Sequence, residues 1–100
     1  MRLSSDELAA IQKALQGEKI SRVFLFGSRT DDAARGGDID LLIHSGEPPF
    51  DLASRIASRF AREFDARIDV LVVDPASATP EQTAFLSTLV PEPLDDLLRL

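Results

Sequence analysis

The sequence predicts an α/β (α+β) protein: one small β-sheet of at least three strands with helices packed on it. Two observations carry this. Apolar residues recur with helical and then extended spacing in the order helix, strand, loop, strand, helix, strand, helix. One hundred residues is also the size of a single domain with room for one core, so one domain is expected over residues 1–100. A content of 44% hydrophobic and 28% charged residues, with Gly and Pro scattered, excludes a mainly disordered chain.

The first helix is announced by Ser4 with Glu7 three residues on, the spacing of a capping box. Leu8, Ile11 and Leu15 then share one helical face until Gly17. Val23 to Phe26 is a short apolar run with β-branched and aromatic content, stopped at Gly27 and Ser28, as a buried strand would be. Residues 27 to 37 hold three glycines among small and charged side chains and read as a loop with room for one helical turn. The second strand is DIDLLI, Asp38 to Ile43.

From Asp51 to Asp65 the helical period returns, with Leu52, Ala53, Ile56, Ala57, Phe60, Ala61 and Phe64 on one arc. Arg55, Arg59 and Arg62 line its flank and read as a solvated face in preference to a grip on an acidic partner. RIDVLVV, Arg67 to Val73, is a third strand ended by Asp74 and Pro75. A further helix starts at Thr79, with Pro80 at its first position and Gln82 three after the cap. Pro91 and Pro93 interrupt the chain before a leucine-rich end, whose Leu94, Leu97, Leu98 and Leu100 are expected to pack on the core in preference to forming an exposed partner-binding patch.

The carboxylates are the anomaly. Alternation along a strand points Asp38 and Asp40 to the same side, their Cα atoms about 7 Å apart over two rises of ~3.3 Å, while Ile39, Leu41 and Ile43 face a core. Two like charges beside an apolar strand repel unless a cation or solvent screens them. Asp69 repeats the pattern ahead of Val70 to Val73, so three carboxylates would converge if the second and third strands are neighbours. The chain has no Cys, and His44 is its single histidine, which excludes thiolate zinc sites and His clusters. A metal here would be a hard ion on oxygen ligands, for which Mg²⁺ is the natural choice. The plainer alternative is that these are strand-end carboxylates facing water. Gly27-Ser28 after a buried strand lets a backbone approach phosphate oxygens, or simply ends the strand. His44 reads first as a surface histidine and second as a ligand contact.

Seventeen acidic against eleven basic side chains, a net charge of −6, disfavour extended nucleic acid as a partner. No apolar run approaches the ~18 residues that span a membrane, and a cytoplasmic protein is expected.

Taken together, VFLFGSR (Val23 to Arg29), DIDLLI after a gap of nine residues and IDVLVV about thirty residues later resemble the nucleotidyltransferase superfamily that includes DNA polymerase β. The short chain is most similar to the minimal nucleotidyltransferases (MNT) paired with a helical HEPN toxin in toxin-antitoxin operons. The resemblance implies a small mixed sheet with the active site at one edge. It implies that Gly27 and Ser28 hold the β and γ phosphates of a nucleoside triphosphate, with ATP the expected substrate. By the same resemblance, Asp38 and Asp40 bind two Mg²⁺ ions, and Asp69 ligates the one that activates the acceptor hydroxyl. Arg29 and Arg35 would neutralise the triphosphate, or else face solvent. Attack at the α-phosphorus would transfer a nucleotide and release pyrophosphate, with the acceptor supplied by a HEPN-like partner protein. The rival reading is a non-catalytic antitoxin that blocks its partner by occupancy.

Overall fold

The computed structural model describes residues 3–30 and 38–98. Its elements are α1 (Ser5–Leu15), β1 (Arg22–Phe26), a 3₁₀ turn (Gly27–Thr30), β2 (Ile39–His44), α2 (Pro49–Glu63), β3 (Ile68–Val73), α3 (Pro80–Leu86), β4 (Glu92–Pro93) and α4 (Asp95–Leu98). The strands form one mixed sheet in the order β3-β2-β1-β4. β1 runs antiparallel to β2 and β4, whereas β2 and β3 are parallel. A parallel pair needs a crossover connection, and α2 is that crossover.

Both expected capping boxes form. Glu7 N–H donates to Ser4 Oγ at 3.1 Å and Ser4 N–H to Glu7 Oε1 at 2.8 Å. Thr79 and Gln82 repeat the exchange at α3. Helix α2 begins at Pro49, before the expected Asp51, because the fixed φ of proline suits a first helical position. It ends at Glu63, where Phe64 turns extended, rather than at Asp65. β2 starts one residue after Asp38.

The core lies on one face of the sheet. Val23 and Leu25 of β1 and Ile39, Leu41 and Ile43 of β2 meet Ile11 and Leu15 of α1 and Leu52, Ile56 and Phe60 of α2 there, all at most 2% exposed. Alternation sends Phe24, Phe26, Asp40, Leu42, His44, Asp69 and Leu71 to the other face. Ala61, expected on the buried arc of α2, is exposed, while Phe64 packs partly against the core.

The leucine-rich end splits. Leu94 and Leu98, one helical turn apart, are buried, but Leu97 is 52% exposed; Leu100 lies outside the described residues. The end is fastened to β1 by Leu94 N–H donating to Val23 O and Val23 N–H to Asp95 Oδ1, each at 2.9 Å. Short β4 also pairs there, an addition the sequence did not announce. No residue of α3 is buried. Among the described residues, no helix is long and apolar enough to cross a membrane.

Candidate active site

Asp40 and Asp69 are each the second residue of their strand, and the parallel register sets them directly opposite one another. On the other side of β2, Phe26 at the end of β1 stands opposite Asp40. The carboxylates and the turn after β1 therefore meet at one end of three strands. Asp69 is on edge strand β3, and Asp40 is on β2 inside the sheet.

Gly27 opens the turn with φ +78, a left-handed conformation that favours glycine. A Cβ built there would run into the Asp40 carboxylate, with Cγ 3.2 Å away. Glycine suits this position for its backbone conformation, and a Cβ there would also require the Asp40 carboxylate to move. The turn is closed by Thr30 Oγ1 donating to Gly27 O at 2.7 Å, and Ser28 contributes its backbone to the same turn.

Asp40 is half-buried, and its carboxyl is held above the ordinary aspartate range. Burial is the largest cause, followed by the charges of Asp69 and Asp38 and a hydrogen bond shared with Asp69. Every one of these favours the protonated acid: burial disfavours the charged form, and the neighbouring carboxylates add to it. Asp38 is exposed and precedes β2. Its charge reaches Asp40, but among the described residues no three His, Cys, Asp or Glu side chains come close enough together to hold one metal ion. The expected convergence of three carboxylates is thus reached by two. The physical reason is that the β2–β3 ladder places Asp40 and Asp69 but does not extend to Asp38.

A pair of facing carboxylates still fits a hard divalent ion. Mg²⁺ is commonly bound through one or two carboxylates, with substrate phosphates and water completing its shell, and a cation would offset the part of the Asp40 shift that comes from Asp69 and Asp38.

Arg29, read from the sequence as a triphosphate contact, forms a two-point ion pair with Glu7 of α1. Its Nη1 donates to Oε1 at 3.1 Å and its Nη2 lies 3.0 Å from Oε2. The Glu7 side chain is 9% exposed. Arg35 lies outside the described residues.

Residues 6–92 match the nucleotidyltransferase domain family. The chain belongs to that family. A comparison with curated proteins finds no match. The small mixed sheet with its helices agrees with this nucleotidyltransferase domain, and nucleotidyl transfer is the general chemistry that membership carries.

Other candidates lie away from the carboxylate pair of the domain. His44 shares their sheet face but sits four residues further along β2, against the Phe24 ring at 5.1 Å between centroids. Burial and the nearby Arg22 charge depress its pKa, offset in part by Asp95. Arg22 itself stacks on Phe24 at 4.7 Å and donates from Nε to Asp95 Oδ2 at 3.1 Å. Arg55 and Arg59 find their acidic partner within the chain: Glu18 accepts from Arg55 Nε and Arg59 Nη1 at 2.9 and 2.8 Å. Arg62 is exposed. Asp74 ends β3 and accepts from Ala76 N–H at 2.9 Å, closing the following turn. Glu7 was legible in the sequence only as a helix cap; its second partner lies 22 residues away, and no local pattern encodes that pairing.

Proposed function

We propose that this nucleotidyltransferase domain transfers a nucleoside monophosphate, AMP from ATP, to an acceptor hydroxyl. The observation that carries the reading is the Asp40–Asp69 pair set in register beside the glycine turn that follows β1. In this reading Gly27 and Ser28 cradle the β and γ phosphates, whose charge suits the exposed N–H groups of a tight turn. Asp38, Asp40 and Asp69 are the residues that would hold two Mg²⁺ ions. Bound there, the ions would supply neutralising charge to the attacking and leaving oxygens.

The acceptor oxygen forms a bond to the α-phosphorus as the bond to the β-phosphate oxygen breaks. Pyrophosphate leaves, and the hydroxyl proton passes to water. Such transfer depends on positioning and charge neutralisation more than on covalent chemistry by the protein, so a scaffold this small suffices. The acceptor in this proposal is a hydroxyl on a HEPN-like toxin, which modification would neutralise. The alternative is a non-catalytic antitoxin that blocks its partner by occupancy.

Calorimetric titration of ATP with and without Mg²⁺, repeated on Asp38→Asn, separates the two. Binding that requires both Mg²⁺ and Asp38 supports the enzyme and justifies a search for a protein labelled from α-labelled ATP. If no nucleoside triphosphate binds under any metal condition, occupancy is the better account.

A further inference from the structure

We propose that Glu7 of α1 is a positioning residue for the nucleotide: by gripping Arg29 it fixes the Gly27–Thr30 turn, and Arg29 serves that grip instead of binding phosphate. The proposal rests on the reading that this turn receives a nucleoside triphosphate.

Both oxygens of Glu7 are engaged by the two terminal nitrogens of Arg29, at 3.1 and 3.0 Å. A two-point guanidinium–carboxylate pair fixes orientation as well as distance, which a point-charge contact does not. The pair is well sheltered, with side-chain exposures of 18% for Arg29 and 9% for Glu7. An exposed ion pair contributes little to order, but one removed from water is costly to break. Glu7 cannot drift to suit Arg29, because its Oε1 also accepts the Ser4 N–H at 2.8 Å and its own N–H is held by Ser4 Oγ. Its helix is anchored in the core through Ile11 and Leu15. A rigid chain of contacts thus runs from the core through α1, Glu7 and Arg29 to the residue two positions after Gly27. Among the described residues, Thr30 Oγ1 donating to Gly27 O also closes the turn. A loop that must present backbone N–H groups to phosphate gains affinity from being ordered beforehand.

The test uses the full chain and Mg²⁺-ATP. Glu7→Gln is the informative variant: glutamine at the third helical position still completes a capping box, but it gives up the charge and one of the two acceptors for Arg29. Affinity is expected to fall about tenfold, in line with losing a charged hydrogen bond; the melting temperature should fall as well, because a sheltered pair loses one partner, so affinity is measured well below it. Hydrogen exchange at the amides of residues 27–30 should quicken. Arg29→Lys, which keeps the charge and loses the fork, should show the same loss as Arg29→Gln.

The opposite sign overturns the proposal. If Glu7 merely competes with phosphate for Arg29, Glu7→Gln binds Mg²⁺-ATP as well as or better than the parent, and Arg29→Lys largely restores what Arg29→Gln loses. Should Glu7→Gln fail to fold, the comparison of Arg29→Lys with Arg29→Gln, which leave the cap of α1 intact, decides the point. Failure of the underlying reading looks different: the parent protein then binds no nucleoside triphosphate, which removes the positioning role, while amide exchange still reports whether the ion pair holds the turn.

Discussion

At the scale of single residues, the site is governed by how little room there is around Asp40. Gly27 takes the left-handed conformation, and a Cβ there would collide with the Asp40 carboxylate unless that side chain moved. An L-residue in the left-handed region costs roughly 1–2 kcal/mol before any clash is counted. Gly27→Ala should therefore lower the stability measured by urea unfolding by at least about 1 kcal/mol and should remove Mg²⁺-ATP binding even where the protein stays folded. An alanine variant of undiminished stability and affinity would mean that the turn has a second, equally good conformation.

At the scale of elements, amphipathic spacing and actual burial part company. Helix α2 buries Leu52, Ile56 and Phe60 completely against the sheet. Helix α3 has a capping box, which α2 lacks, yet it has no buried residue, and its Phe85 is 51% exposed. The same substitution should therefore have unlike costs in the two helices. Phe60→Ala should destabilise by roughly 3–5 kcal/mol through a cavity and lost transfer energy, whereas Phe85→Ala should stay within about 0.5 kcal/mol. Chemical denaturation of both variants measures the contrast; similar losses would mean that α3 is packed in solution. The flank of α2 shows the same limit. Arg55 and Arg59 are spaced like a solvated stripe, yet both fasten the helix to Glu18, at a side-chain exposure of 8%.

At the scale of the whole molecule, acidic groups with opposite shifts set the dependence of stability on pH. Glu7 and Glu18 have lowered pKa values: Glu7 because hydrogen bonds and the Arg29 charge outweigh its burial, Glu18 because of Arg55 and then Arg59. Their stabilisation is present above the ordinary glutamate range and is lost as pH falls through their depressed folded values. Asp40 works the other way. Its folded form holds a proton more tightly than the unfolded chain does, so its contribution declines as pH rises from the ordinary aspartate range through its raised folded value. Asp40→Asn should consequently gain stability over the parent as pH rises across that window and keep the gain at neutral pH, while abolishing nucleotidyl transfer. Urea unfolding of both proteins over a series of pH values tests this; an asparagine variant less stable than the parent at neutral pH would contradict the electrostatic account of the site.

The sequence by itself determined everything that depends on neighbours along the chain. The two capping boxes, the inward alternation of Ile39, Leu41 and Ile43, the end of β1 at Gly27 and the membership of Asp40 and Asp69 in otherwise apolar strands are local signals, because backbone periodicity and helix ends act over a few residues. Where the two strands lie relative to one another is a different matter. The tertiary structure decided that α2 brings β3 beside β2 in a register that sets Asp69 opposite Asp40 and leaves Asp38 outside the ladder. It also decided that Arg29 pairs with Glu7, that Glu18 collects two arginines, and that a two-residue strand completes the sheet. These choices join residues far apart in the chain. Long charged side chains have several partners open to them in sequence, and only the packing of the helices on the sheet brings one of those partners within reach.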